Sequence, residues 1–178
     1  AALAAGADMV NDVSALRDDP ELAGLVAGRG VPVVLMHMRG TPKTMQENPR
    51  YTDTIAEIQS ELSGFVAAAR ESGVRDEQIV LDPGIGFGKT VSDNACIVHN
   101  IEALRSLGYP LLIGASRKSF LSALSAAGER PVEERLPATL AVHAYAILHG
   151  AEILRVHDVR ETADVRSVLA GIAGVESR

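Results

Sequence analysis

Five stretches of this chain begin as apolar, strand-like runs and then break into polar residues or glycine. They are MVNDVS (9–14), VVLMHMRG (33–40), IVLDPGIGFGK (79–89), LLIGASRKS (111–119) and ILRVHDV (153–159). Segments of helical period lie between them. Strand and helix in alternation confine the chain to an α/β fold with a parallel sheet, because parallel neighbours need a crossover and a helix is the usual one. The runs are apolar residue after residue rather than alternately, which expects helices to cover the sheet. In such folds ligands bind at the carboxyl ends of the strands. The repeated passage from apolar residues to Asn, Asp, His, Arg and Lys therefore reads as a catalytic face.

The intervening helices carry their own punctuation. Asp19-Pro20 supplies an N-cap and a first helical residue ahead of Leu22, Leu25 and Val26. Thr54 and Glu57 have capping-box spacing, and Ile55, Ile58, Leu62, Val66 and Ala69 recur at helical period up to Gly73. Further helices are expected at about 93–107, directly after Lys118, at about 136–149 and at about 162–172. The polar, proline-containing segment 40–53 is long for a βα loop and is expected to form a flap or flexible rim. The opening AALAAGAD has no Met and reads as the last turns of a helix closing on Gly6, so a longer parent is expected. This order of elements suits an open doubly wound sheet and a closed (β/α) barrel alike. A barrel needs eight strands and about 250 residues. On that reading residues 1–178 are one domain, a partial (β/α)8 TIM barrel holding strands four to eight without the first three β/α units.

Composition narrows the partners. With 17 Lys+Arg against 23 Asp+Glu the net charge is −6, which argues against a non-specific nucleic-acid binder. No apolar run approaches the roughly 20 residues of a membrane span. The single cysteine, Cys96, has no internal partner, and the expectation is a cytoplasmic protein.

DPGIGFGKT (82–90) is the most distinctive segment. It fails the phosphate-loop pattern, which needs Gly where Pro83 stands, and the dinucleotide pattern, which needs Gly where Lys89 stands. Gly84, Gly86 and Gly88 still permit positive φ and a close approach of backbone to ligand. Asp82 either pairs with a ligand's donors or caps the turn through an Asx hydrogen bond, and spacing leaves both open. In GASRKSF, Ser116, Arg117, Lys118 and Ser119 lead into a helix and suit an anion, although a solvated basic turn would look the same. Strand alternation would put Arg155 and His157 on one side, in the position where barrels hold phosphate; alternatively Arg155 pairs with Asp158 or a helix carboxylate. Asn11 offers a donor and an acceptor for a heterocycle edge, or Asn11 and Asp12 cap a turn. Met36 is either a flat wall for an aromatic ligand or core, and His37 reads as structural. No H-x-x-x-H or C-x-x-C spacing supports a metal site made by the protein alone.

Taken together, NDVS, VLMHMRGTPKTMQ, LDPGIGFGKT, GASRKSF and RVHDV, in this order and spacing, resemble the dihydropteroate synthase family of the bacterial folate pathway. The likeness extends over essentially the whole chain. It implies a (β/α)8 barrel that joins p-aminobenzoate to 6-hydroxymethyl-7,8-dihydropterin pyrophosphate and releases pyrophosphate. It implies that Asn11, Asp82, Met36 and Lys118 bind the pterin, that Phe87, Arg117 and Ser119 line the p-aminobenzoate pocket, and that Asn11, Arg155 and His157 hold the pyrophosphate. Lys118, Arg155 and His157 would carry the catalysis. The family's Mg2+ ligand falls in the absent upstream part, and its members are commonly homodimers open to competition by sulfonamides. Two other readings stand beside this one. A methyltetrahydrofolate corrinoid methyltransferase would share the pterin carboxylate but would not need the SRKS and RVH cations. An isolated five-unit fragment would be a non-catalytic half-site.

Overall fold

A computed structural model describes residues 1–125 and 128–174. Five short strands alternate with helices: β1 Val10–Asp12, α1 Pro20–Arg29, β2 Val33–Met36, α2 Thr54–Glu71, β3 Ile79–Asp82, α3 Val91–His99, α4 Ile101–Arg105, β4 Leu112–Ile113, α5 Phe120–Leu124, α6 Leu136–Leu148, β5 Ile153–Leu154 and α7 Val159–Ala173. β1, β2 and β3 pair in parallel, as do β4 and β5, and a parallel bridge from Leu81 to Leu111 joins the two sets. Spatial order therefore follows chain order. A doubly wound sheet reverses direction at a switch point; these strands do not.

Alternation along the strands sorts their side chains into two faces. Val33, Leu35, Ile79, Leu81 and Ile113 share one core with residues from α1 to α6, among them Val26, Ile58, Leu62, Ile97, Leu104, Phe120 and Ala146. On the other face Val34, Val80 and Leu112 form a second, smaller apolar cluster with Ile153. The helices thus cover one side. The other side carries a thin apolar floor, and one alternation step above it stand Met36, Asp82, Gly114 and Arg155. Met36 is in register with Asp82. Arg155 keeps its place beyond the end of β5 because its N–H donates to Ile113 O at 3.0 Å, extending the ladder.

Local chemistry moves several expected boundaries. The helix expected over 93–107 divides at Asn100, whose side chain donates to Cys96 O at 2.8 Å. α7 begins at Val159, ahead of the expected 162. The cap of α2 is Asp53 rather than Thr54: its carboxylate accepts from Ala56 N at 3.0 Å, and Glu57 Oε1 accepts from Asp53 N at 2.9 Å. Thr54 donates to Asp93 at 2.8 Å instead. A capping box the sequence reading missed joins Thr90 and Asp93 at the start of α3. Segment 40–53 is pinned rather than loose, because Gln46 Nε2 donates to Gly86 O and Tyr51 Oη donates to Gly88 O, both at 3.0 Å. Among the described residues no helix is long and apolar enough to cross a membrane.

Candidate active site

The polar layer above the apolar floor is built around Asp82, a fully buried carboxylate at the end of β3. Its two oxygens have different work. Oδ1 accepts the N–H of Gly84 at 2.7 Å, which is the expected Asx turn. Oδ2 lies 2.8 Å from Arg155 Nη1, a contact of charges that falls outside hydrogen-bond geometry and leaves Oδ2 without a donor among the described residues. The turn-capping reading of Asp82 holds on Oδ1, and Oδ2 faces Arg155. The same Arg155 Nη1 donates to Asn11 Oδ1 at 2.9 Å, reaching from the last strand to the first. Asp12, beside Asn11, does the turn capping and accepts from Ser14 Oγ at 2.7 Å and from Leu16 N at 2.5 Å.

The glycine loop after Asp82 can sit close to β2 only because it lacks side chains. At Gly84, with φ +68°, a Cβ would stand 1.9 Å from His37 O; at Gly86, with φ +79°, it would stand 2.9 Å from Lys118 Cδ. Lys118 fills the space so created. Its Nζ donates to Ile85 O and lies 4.5 Å from the centre of the Phe87 ring. Burial pushes its amine down to about 8, partly offset by the charge of Asp82 and reinforced by Arg155. A cavity of about 490 Å³ opens here, lined by Gln46, Gly86, Lys89, Asn94, Lys118 and Ser119 among others. Ser119 is exposed at the start of α5, and Phe87 is half-buried under Lys118.

Two expected residues are placed differently. Arg117 turns into the left-handed region, with φ 57°, and its guanidinium grips Asp158 at 2.9 and 2.5 Å. That ion pair ties it to the loop after β5. It is Arg117, not Arg155, that takes Asp158. β5 stops at Leu154, so strand alternation does not position His157; Ser116 does, with its Oγ 2.9 Å from His157 Nδ1. Met36 is fully buried within this layer, in register with Asp82.

Sequence reasoning missed Lys89, which is 3% exposed. Its Nζ lies 3.0 Å from His37 Nδ1 and donates to Phe87 O at 3.0 Å, fastening the glycine loop from below. The signal in the sequence is the lysine that directly follows the glycine loop in GFGKT. His37 is structural as expected. Burial and the Lys89 charge hold its imidazole neutral, and Nε2 donates to Glu61 Oε2 at 3.1 Å. Among the described residues no three His, Cys, Asp or Glu side chains gather to cage a metal ion.

A parallel α/β framework that gathers a buried carboxylate, an amide and several cations at its strand ends can hold a small polar ligand with an anionic part. A family model for pterin binding enzymes matches residues 1–157, and the chain belongs to that family. It is 45% identical over 167 residues to the dihydropteroate synthase of Synechocystis sp., covering 94% of this chain and 57% of that protein. A solved dihydropteroate synthase from Stenotrophomonas maltophilia, with imidazole in its active site, superposes with a TM-score of 0.93 at 40% identity, over 99% of this chain and 65% of that one. The Xanthomonas albilineans enzyme in complex with 7,8-dihydropteroate superposes with a TM-score of 0.89 at 39% identity, over 98% of this chain and 63% of that one. The chain thus spans roughly three fifths of the length of these relatives.

Proposed function

We propose that this chain is the pterin- and pyrophosphate-handling part of a dihydropteroate synthase, with its five β/α units as strands four to eight of a (β/α)8 barrel. The observation that carries this reading is the meeting of Asn11, Asp82 and Arg155 in direct contact across 144 residues, beside Lys118. Strand order without a switch point and helices on a single face support the barrel.

The chemistry follows from the residues. Asp82 would accept paired N–H donors from the amino-pyrimidinone edge of the pterin, its Oδ2 being a buried acceptor that lacks a hydrogen bond. Lys118, with its stem packed along Gly86 and Phe87, would hold an acceptor of the pterin and separate it from p-aminobenzoate at Ser119 and Phe87. Arg155 and His157 would bind the pyrophosphate and stabilise the charge that builds on the departing oxygen as the C–O bond at the methylene breaks. The amine of p-aminobenzoate is neutral at pH 7. It can form the new C–N bond without prior deprotonation and then release a proton to solvent, so no catalytic triad is required. The donor set at the mouth does not make a Mg2+ cage; such an ion would arrive on the pyrophosphate oxygens, which suit a hard cation. The parent would act as a cytoplasmic homodimer.

Titration calorimetry of the chain with the pterin pyrophosphate in the presence of Mg2+ tests the reading. Binding that Asp82→Asn abolishes is the expected result. Binding that persists at full strength in Asp82→Asn, or no binding by the folded wild type, would remove it.

A further inference from the structure

Arg155 occupies the very acceptors that the pterin reading assigns to the ligand. One guanidinium nitrogen sits 2.8 Å from Asp82 Oδ2 and 2.9 Å from Asn11 Oδ1. The guanidinium lies against Gly114, where an added Cβ would come within 2.6 Å of Nη2 and 3.1 Å of Cζ. Its side chain is 37% exposed while Asp82 is fully buried, so one partner can swing out and the other cannot move. The contact is also incomplete, since Oδ2 accepts no hydrogen bond from it. A heterocycle presenting two parallel N–H groups would satisfy that oxygen better than Arg155 does.

We propose that Arg155 is the specificity-determining residue of this site, an internal competitor that rests on Asp82 and Asn11 and yields them efficiently only to a ligand that brings its own anion. The inference rests on the pterin reading and goes beyond it. A bare pterin must evict a cation from a buried carboxylate and leaves that cation with nothing in exchange. The pyrophosphate ester evicts it too, and then offers a new partner in the leaving group. Selection for the activated ester thus comes from the penalty imposed on the unactivated alcohol as well as from attraction to phosphate. Lys118, whose charge also bears on Asp82, counters the carboxylate while Arg155 is away.

Two variants separate competition from simple phosphate binding. Arg155→Met removes the competitor and the anion partner together. Gly114→Ala keeps the guanidinium and pushes it off its resting place, and Gly114 does not have the positive φ that would itself resist a side chain. Dissociation constants would be measured by calorimetry for 6-hydroxymethyl-7,8-dihydropterin and for its pyrophosphate ester. Arg155→Met is expected to bind the bare pterin roughly tenfold more tightly than wild type, the scale of one charge-assisted hydrogen bond, and the ester more weakly. Gly114→Ala is expected to bind the bare pterin more tightly and the ester at least as well as wild type. If Arg155→Met does not fold, Gly114→Ala decides alone. Bare-pterin affinity that fails to rise in the folded variants overturns the competition while leaving the pterin reading intact. A folded wild type that binds neither ligand overturns both.

Discussion

Lys89 Nζ and His37 Nδ1 stand 3.0 Å apart beneath the glycine loop, and burial keeps both from carrying their usual charge. Burial, then the Lys89 charge, pushes His37 down to about 2. Burial pushes Lys89 down to about 7, with Lys118 adding to the shift and Asp82, Glu61 and Asp93 opposing it. The neutral imidazole presents an unprotonated Nδ1 to Lys89 because its proton is committed on Nε2 to Glu61.

Stability should therefore rise with pH above neutrality. The folded chain releases the Lys89 proton near pH 7, whereas an unfolded lysine holds it to about 10.4. Between those values the unfolded state binds more protons, so raising the pH favours folding. Urea unfolding of wild type and Lys89→Met from pH 7 to 10 checks this. Wild type should gain on the variant across the window, and parallel curves would count against the shift.

His143 on α6 is fully buried, and neither ring nitrogen has a hydrogen-bond partner among the described residues. Burial pushes it down to about 4, against the attraction of Asp158. Because this folded-state value is depressed, the unfolded chain takes up a proton first, and stability falls as pH drops from about 6.5 toward 4. His143→Leu should stabilise the chain by about 1 kcal/mol at pH 7, the scale of a buried unsatisfied polar group. It should also flatten the acid limb. Thermal melts at pH 7 and 5 read both effects; a lower melting temperature for the variant at both pH values would refute them.

Glycines at two positions should respond in opposite directions. Gly84→Ala sets a Cβ 1.9 Å from His37 O at φ +68° and should cost roughly 3 kcal/mol or more, taking Asp82 out of position with it. Gly24, inside α1, has nothing within 4 Å of its added Cβ, and Gly24→Ala should stabilise by roughly 0.5–1 kcal/mol. Chemical denaturation of both variants gives the comparison, and equal effects would show that the close approach to β2 is not what makes Gly84 necessary.

The left-handed Arg117 is held by Asp158 and by Thr139, whose Oγ1 accepts the Arg117 N–H at 3.0 Å. Asp158→Asn should loosen the turn that carries Lys118 and weaken pterin pyrophosphate binding several-fold with little change in global stability. Calorimetry beside a denaturation curve separates the two; unchanged affinity would confine this ion pair to surface packing.

Element type was legible along most of the chain because hydrophobic period and helix punctuation are local. Ile58, Leu62, Val66 and Ala69 face the core as their spacing requires. Gly6, Gly30 and Gly73 all take positive φ at the ends of helical segments. Boundaries slipped where a neighbouring side chain decided them: Asp53 outcompeted Thr54 as a cap because Thr54 has Asp93 to bond, a partner 39 residues away.

For the site, the sequence by itself determined which chemistry arrives at the strand ends. An apolar strand that ends in Asp82 or Arg155 must deliver that group to the same rim as its parallel neighbours. Only the tertiary structure decided who pairs with whom. Arg155 and Arg117 had one obvious acidic candidate nearby, Asp158, yet Arg155 went to Asp82 and Arg117 took Asp158. Lys89, to which the sequence reading gives no role, turned inward to His37. Ion pairing depends on distance and burial in three dimensions, and strand order, not sequence separation, sets both.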